Sequence, residues 1–193
     1  MARPSRKKER QSQILDAYEH CIALYGLEGA TLELIAEQAG LARALIRHNV
    51  GNREDLRDAL VRRFVNRSSK YMSSLVERLP SVGRGEALVE WLFDPKYSDP
   101  GLVLVSSALI NAGASDPKLA RKMRKWSRDF VDNLARTLSK EFPKETEDAT
   151  QAVAAGLAGI YFNVESMTPL GPMPDLADAS KEAALRLVST LKN

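Results

Sequence analysis

The side chains best suited to bind a charged partner lie in one short stretch, from Thr31 to Leu56. This stretch contains Arg43, Arg47 and Arg53. An arginine guanidinium can donate two parallel hydrogen bonds to a phosphate, or to the O6 and N7 atoms of guanine. Thr31 stands before a helical pattern, where its hydroxyl and the free N–H groups of the first turn can bind an anion. These residue types predict recognition of a polyanion.

The residue sets that catalysis or metal binding needs are missing from the sequence. There is one cysteine, Cys21, and there are two histidines, His20 and His48. His20 and Cys21 are neighbours on a predicted helix and therefore point about 100° apart, which excludes a working dyad. We expect no catalytic residue, no metal site and no cofactor. Because Cys21 falls on an apolar helix face, a buried structural thiol is favoured over a redox sensor.

The composition describes a globular chain with an uneven charge. Hydrophobic residues make up 44% and charged residues 27% of the 193 positions. No stretch approaches the ~20 apolar residues of a membrane span, so we expect a soluble, cytoplasmic protein without a membrane partner. Residues 1–70 hold 13 basic and 9 acidic residues (+4), which leaves 15 and 16 (−1) for the rest. This asymmetry favours a polyanion at the N-terminal end, although a chance distribution on a solvated surface gives the same count.

Helical periodicity runs along the whole chain and predicts an all-α protein of about nine helices. The first helix carries an apolar face that includes Tyr25, and Gly26 ends it. Two short helices follow, one capped by Thr31 and one over 42–49. A long helix over about 53–79 comes next. No alternating strand pattern is present.

The second half of the chain has equally clear helix signals. Asp99 and Asp116 each precede a proline, the arrangement of a capping residue before the first helical position. Further helices are predicted over about 86–93, 144–167 and 175–192. The basic residues of the helix after Asp116 favour a solvated face over a phosphate site. The apolar stripe of that helix is Leu119, Met123, Trp126, Phe130, Leu134 and Leu138.

Two short helices joined by a tight turn at Gly40 form a helix-turn-helix pattern. The run from Thr31 to Leu56, preceded by an amphipathic helix, resembles the DNA-binding domain of the TetR family of transcriptional regulators over about residues 10–60. The matching residues are Gly29, Thr31, Ile35, Ala36, Ala39, Gly40, Gly51, Asn52, Arg53, Glu54, Asp55 and Leu56.

The resemblance implies a DNA-binding domain over residues 1–53, a linking helix over 53–79, and a ligand-binding and dimerisation domain over 80–193. The short third helix would enter the major groove, and Thr31 and Arg53 would bind phosphates. A disordered basic tail, with Arg3, Arg6, Lys7 and Lys8, would add sequence-tolerant attraction. The residues expected at DNA are Thr31, Arg43, Ala44, Arg47, His48, Asn52 and Arg53.

Three positions depart from the pattern of the family. Ala42 replaces the serine or threonine that caps the third helix, a loss of about 1 kcal/mol. Arg47 stands where a tyrosine usually touches phosphate, and Val50 where an aromatic residue closes the motif. Two alternatives stay open: a plain helical bundle with surface arginines, and a small-molecule-binding protein that has lost sequence-specific DNA binding.

A single short recognition helix buries too little surface for high specificity, which predicts a homodimer on a palindromic operator. The resemblance places the dimer interface on the last two helices, where small residues permit close approach. These side chains could instead fill the core of the single chain. The candidate interface residues are Ala152, Gly156, Ile160 and Leu187.

The resemblance also implies a repressor that an unknown small-molecule effector releases from double-stranded DNA. Apolar walls with a few polar groups suit a pocket, although aromatic residues at helical spacing also fill ordinary cores. Asn111 and Asn163 are expected to be buried amides that need partners. The candidate lining residues are Trp91, Phe93, Tyr97, Asn111, Met123, Trp126, Phe130, Tyr161, Phe162, Asn163 and Met167.

Overall fold

Helices account for most of residues 6–191, which are the residues that the computed structural model describes. Over this range there are nine α-helices and no strand, which confirms the predicted all-α fold. Short 3-10 turns lie at Pro95–Tyr97 and Thr168–Leu170. The helices are α1 (Arg6–Gly29), α2 (Leu32–Gln38), α3 (Arg43–Val50), α4 (Arg53–Arg78), α5 (Arg84–Leu92), α6 (Pro100–Ala112), α7 (Pro117–Glu141), α8 (Glu147–Met167) and α9 (Pro174–Val188).

The two Asp-Pro pairs begin α6 and α7 as predicted. The Asp99 carboxylate accepts a hydrogen bond from the Leu102 backbone N–H at 3.1 Å. The Asp116 carboxylate accepts from Lys118 N at 2.9 Å and from Leu119 N at 3.0 Å. Each carboxylate satisfies N–H groups that have no partner within the helix, and it lies at the positive end of the helix dipole.

The chain divides into two compact units. Within the described residues, the first comprises 6–67 and Leu104–Ala120, and the second comprises Ser68–Val103 and 121–191. The division falls within α4, α6 and α7, whereas the boundaries expected from the sequence fall at helix ends. The assignment of DNA binding to residues 1–53 and of ligand binding to residues 80–193 stays a prediction.

The core of the first unit is built from one face of each of its N-terminal helices. Ile14 and Tyr18 of α1, Ile35 of α2, Ile46 of α3 and Phe64 of α4 are all buried. Helix α1 contacts both α2 and α3. The outer faces of the two short helices are thereby left free for another molecule.

Tyr25, which the pattern predicted on an apolar face, is exposed, and so is the apolar side chain of Leu45. The backbone leaves the helix at Gly26, where φ is 70°, and Tyr25 just before this break is 53% exposed. Leu45 is 40% exposed. In α3, which has only eight residues, Ile46 occupies the inward position, and its neighbour points about 100° away.

In the first unit, the described N-terminal basic residues are helical and the cysteine is buried. Arg6, Lys7 and Lys8 are helical within α1, so the expected disordered tail is wrong for these three residues. Arg3 lies outside the described residues. Cys21 is buried, and burial raises the pKa of its thiol, which confirms the structural assignment.

The second unit has its own apolar core. Leu88, Leu134 and Leu157, from α5, α7 and α8, are fully buried, and Val188 of α9 packs in the same cluster. Five of the six residues in the predicted α7 stripe are buried, and Trp126 is half-buried. In residues 6–191, no helix is long and apolar enough to cross a membrane.

Candidate nucleic-acid interface

The turn between α2 and α3 is a well-formed helix stop. Gly40 has a φ of 62°, a left-handed conformation that glycine adopts without the penalty of a β-carbon. Gly40 N donates to Glu37 O at 3.0 Å, and Leu41 N donates to Ala36 O at 2.9 Å. This pair of bonds is a Schellman motif. It ends α2 so sharply that only four residues separate α2 from α3, as a helix-turn-helix requires.

Two glutamines of α1 hold the ends of the short helices. Gln11 Nε2 donates to Asn49 O at 2.8 Å, and Gln13 Nε2 donates to Ala39 O at 2.7 Å. Carbonyls in the last turn of a helix have no partner within it, so these bonds satisfy them and fix α2 and α3 on α1. Sequence reasoning did not single out these glutamines, since it concentrated on the apolar stripe of α1.

The outer face of α3 carries the predicted DNA-contacting residues. Arg43, Ala44, Arg47 and His48 are all exposed. Within residues 6–191, the side chains of Arg47 and His48 make no hydrogen bond or ion pair, and α3 itself contains no acidic residue. This face is therefore positively charged and has donors free to bind an external acceptor.

Acidic residues of the chain hold the other two arginines of the candidate interface. Arg43 forms an ion pair with Glu33 of α2. Arg53 Nη2 donates to the backbone oxygen of Glu28 at 2.9 Å and to its carboxylate at 3.1 Å. Exposed pairs of this kind contribute about 0.2–1 kcal/mol, so a phosphate or a guanine can displace the carboxylate. A cleft of about 340 Å³ beside Arg53 is lined by Tyr18, Leu27, Glu28, Arg53, Glu54 and Arg57.

Thr31 and Asn52 both act as helix caps. Thr31 Oγ1 accepts from Leu34 N at 3.2 Å, which confirms its predicted capping role. Asn52 Oδ1 accepts from the N–H groups of Glu54 and Asp55 at 2.8 and 3.0 Å, and the Asp55 carboxylate accepts from Asn52 N at 2.9 Å. This reciprocal pair fixes the start of α4. Contacts of Thr31 and Asn52 with phosphate stay predictions.

The missing cap on the recognition helix can be tested by restoring it. Ala42 has the extended backbone of an N-cap residue (φ −66°, ψ 140°) but no side-chain hydrogen bond to α3. Ala42→Ser supplies an oxygen that can accept from the first turn, and we expect it to raise the free energy of unfolding by about 1 kcal/mol. Urea denaturation followed by circular dichroism measures this change.

Ala44→Ser is the matched control for this substitution. Ala44 lies inside α3, where serine is a poorer helix former than alanine, so the same change should lower stability by up to about 0.5 kcal/mol. Equal effects of the two substitutions would contradict the assignment of Ala42 as an uncapped N-terminus.

Most of the candidate ligand-binding aromatics come together in the second unit. The Phe130 ring centroid lies 5.7 Å from that of Tyr161 and 4.9 Å from that of Phe162. Phe93 meets Tyr161 at 6.3 Å, and Trp126 meets Phe162 at 5.5 Å. A second group stacks Trp91 on Tyr97 at 3.9 Å, with Tyr71 5.0 Å from Trp91. Both groups lie in the second unit, and their contact with a ligand stays a prediction.

The polar candidates do not join these rings. Asn111 and Asn163 are both exposed in the single chain, so the expectation of buried amides is wrong. Asn111 also belongs to the first unit, through the segment 104–120. Each asparagine falls on the outer side of its helix, which the apolar spacing could not reveal because both helices contain few charged residues. Met123 is buried, and Met167 is half-buried at the end of α8.

The candidate interface residues on α8 and α9 divide into two sets. A β-carbon on Gly156 would lie 2.5 Å from Leu187 Cδ2, so these two residues pack against each other within the chain. Both residues contribute to the close approach of α8 and α9, and their place at a dimer interface stays a prediction. Ile160 is half-buried, and Ala152 is exposed together with Ala155 and Gly159.

Comparison with known proteins finds transcriptional regulators along most of the chain. The HTH-type transcriptional regulator BetI of Escherichia coli is 25% identical over 159 residues, which cover 79% of this chain and 80% of that protein. A TetR-family transcriptional regulator from Cytophaga hutchinsonii has a TM-score of 0.79 at 14% identity, covering 99% and 98% of the two chains. A TetR transcription regulator from Haloarcula marismortui gives 0.76 at 14% identity, covering 95% and 98%. No family model matches the chain.

The chain is all-α, carries a helix-turn-helix near its N-terminus and has exposed arginines on the outer helix of that motif. It is a helix-turn-helix transcriptional regulator. The structural neighbours establish the fold, and the curated relatives are regulators rather than enzymes. These similarities confirm the resemblance to TetR-family regulators that residues 10–60 carry.

Proposed function

We propose that this protein is a homodimeric repressor that binds a palindromic operator through α3 and is released by a small molecule. The observation that carries the proposal is the outer face of α3, where Arg43 and Arg47 are exposed while Ile46 anchors the helix in the core. In this arrangement α3 can enter a major groove without any change in the packing of the first unit.

The supporting residues have distinct roles in the proposal. Arg47 and His48 reach base edges or flanking phosphates, and Arg43 exchanges Glu33 for a guanine or a phosphate. Arg53 exchanges the Glu28 carboxylate for a phosphate in the same way. Thr31 and Asn52 fix the ends of α2 and α4, which present backbone N–H groups to the DNA backbone.

Dimerisation in this proposal uses the exposed small residues of α8. Ala152, Ala155 and Gly159 recur at steps of three and four residues, so they line one face of the helix. Small side chains permit the close approach of a second helix. Two copies related by a two-fold axis would present two α3 helices to half-sites about 34–36 Å apart.

Release requires that the effector bind the DNA-incompetent state more tightly than the DNA-bound state. The aromatic groups of the second unit supply apolar surface for such a ligand, and their partly exposed rings permit its entry.

Selection of bound sequences from a random duplex pool tests the proposal. The expected result is an enriched palindrome with two half-sites one helical turn apart. Recovery of no enriched sequence would support the alternative of a small-molecule-binding protein without sequence-specific DNA binding.

A further inference from the structure

A buried tyrosine hydroxyl without a hydrogen-bond partner lies beside the cleft of the first unit, which is formed by α1 and α4. Tyr18 of α1 is only 1% exposed, and among residues 6–191 its hydroxyl makes no hydrogen bond. The charged residues that act on this hydroxyl, Arg53, Arg57 and Glu28, all line the cleft, so the hydroxyl faces it. A buried polar group normally has a partner, because an unsatisfied one costs stability. A ligand in the cleft can supply the acceptor.

The Tyr18 hydroxyl is a hydrogen-bond donor at neutral pH. Burial raises the pKa of Tyr18 to about 12, although the positive charges of Arg53 and Arg57 oppose this shift. The hydroxyl therefore keeps its proton and offers it to an acceptor in the cleft. A carboxylate suits this position, because a hydrogen bond to a charged oxygen is roughly twice as strong as one between neutral groups.

Two guanidinium groups of the same cleft keep free donors. Arg53 donates to Glu28 through Nη2, and the Nη2 of Arg57 lies 2.7 Å from an oxygen of Asp116. No other hydrogen bond or ion pair of these arginines is formed within residues 6–191. A guanidinium has five N–H donors, so each arginine can bind a ligand without losing its present partner. Together with Tyr18 they form a donor set for a carboxylate.

Two carboxylates of the chain lie nearer the mouth of the cleft. The side chains of Glu28 and Glu54 are 84% and 65% exposed, whereas that of Arg57 is 29% exposed and Leu27 is buried. The donors Tyr18 and Arg57 are thus deeper than the carboxylates. An anion would be repelled by the two carboxylates and a cation by the two guanidinium groups, whereas a zwitterion complements both.

We propose that this cleft binds a zwitterion of the α-amino acid class with a short apolar side chain. The ligand carboxylate accepts from the Tyr18 hydroxyl and from Arg57, and its side chain contacts Leu27. Its ammonium donates to Glu28, which bonds to Arg53 through Oε2 and keeps Oε1 free. The volume of about 340 Å³ is at the lower end for ligand pockets and suits a molecule of this size. The inference goes beyond the proposed function, since the aromatic groups proposed for the effector belong to the second unit.

Titration of the full-length protein with L-valine tests this site. Binding is followed by the methyl resonances of Leu27 in protein labelled with carbon-13 at its leucine methyl groups, because Leu27 lines the cleft. Isovalerate, which lacks the ammonium, and isobutylamine, which lacks the carboxylate, are the comparison ligands. We expect L-valine at millimolar concentrations to shift the Leu27 resonances saturably. It should bind at least about tenfold more tightly than either comparison ligand.

Two variants test the separate contacts. Tyr18→Phe removes the hydroxyl and keeps the ring, so the affinity for L-valine should fall at least about tenfold, the effect of one lost hydrogen bond to a charged group. Its thermal midpoint should not fall, because the hydroxyl has no partner within the described chain. Glu28→Gln should weaken L-valine but not isovalerate, since only L-valine carries the ammonium.

Tyr25→Phe is the matched control for Tyr18→Phe. Tyr25 lies on the same helix but is exposed and does not line the cleft, so its replacement should leave the affinity for L-valine unchanged. A lack of any saturable shift of Leu27, equal affinity for L-valine and isovalerate, or an unchanged affinity in Tyr18→Phe would overturn the proposal.

The titration contains no DNA and therefore separates this inference from the proposed function. Failure to find an operator leaves the L-valine result unaffected, and an operator can be found even if L-valine does not bind.

Discussion

Replacement of both Arg43 and Arg47 by alanine is expected to lower the affinity for the selected operator at least about 100-fold without loss of folding. Both side chains are exposed, and neither packs in the core of the first unit. A bidentate arginine–guanine contact is worth about 1–3 kcal/mol, and a symmetric dimer makes it twice. Two contacts of about 1.4 kcal/mol each correspond to a 100-fold change.

Fluorescence anisotropy with the selected duplex measures this loss. The double replacement of Arg124 and Arg128 by alanine is the control, since both are exposed on α7 and carry the same total charge. The control should keep its affinity within a few-fold. An equal loss in the two double variants would mean that net charge, rather than contact by α3, determines binding.

Gly159→Arg is expected to convert the dimer into a monomer and to lower operator affinity at least about 100-fold. Gly159 is exposed in α8, and a β-carbon built on it meets no atom within 4 Å. The arginine therefore fits the single chain and improves helix propensity by up to about 1 kcal/mol. Across a two-fold axis, however, the bulk of two arginine side chains would prevent the close contact of the helices, and their like charges would repel each other.

Sedimentation velocity measures the association state of this variant. Ser73→Arg, at an exposed position of α4, is the control and should remain dimeric. Gly156→Arg is unsuitable, because the arginine side chain would collide with Leu187 within the chain. Loss of the dimer could then result from misfolding instead of from a blocked interface. A dimeric Gly159→Arg protein with an unchanged thermal midpoint would exclude this face of α8 from the interface.

The helices and their limits could be predicted from local signals. The caps at Thr31, Asp99 and Asp116 act within three residues, so the sequence alone contains both partners of each hydrogen bond. The missing cap at Ala42 was equally predictable, because it depends on a single side chain. The stripe of α7 was correct because a long helix repeats its buried face many times.

Contacts between helices could not be predicted in the same way. The periodicity of α8 identifies an apolar face but not which neighbour covers it, so the sequence could not show that Leu187 packs against Gly156 within the chain. Leu45 and Tyr25 are similar cases, since a short or interrupted helix has too few turns to define its buried side.

The charges of the candidate sites were the least predictable part. The partners of Arg43 and Arg53 lie on other helices, and the partner residues Glu33 and Glu28 look like ordinary surface residues in the sequence.

The most direct test of DNA reading by α3 is a comparison of the selected duplex with a scrambled duplex of the same composition. Affinity and stoichiometry are measured for both over a range of salt concentrations. We expect two chains per selected duplex, binding at least about 1,000-fold tighter than to the scrambled one, and a logarithm of affinity that falls linearly with the logarithm of salt. Equal affinity for the two duplexes at every salt concentration would contradict sequence-specific recognition by α3.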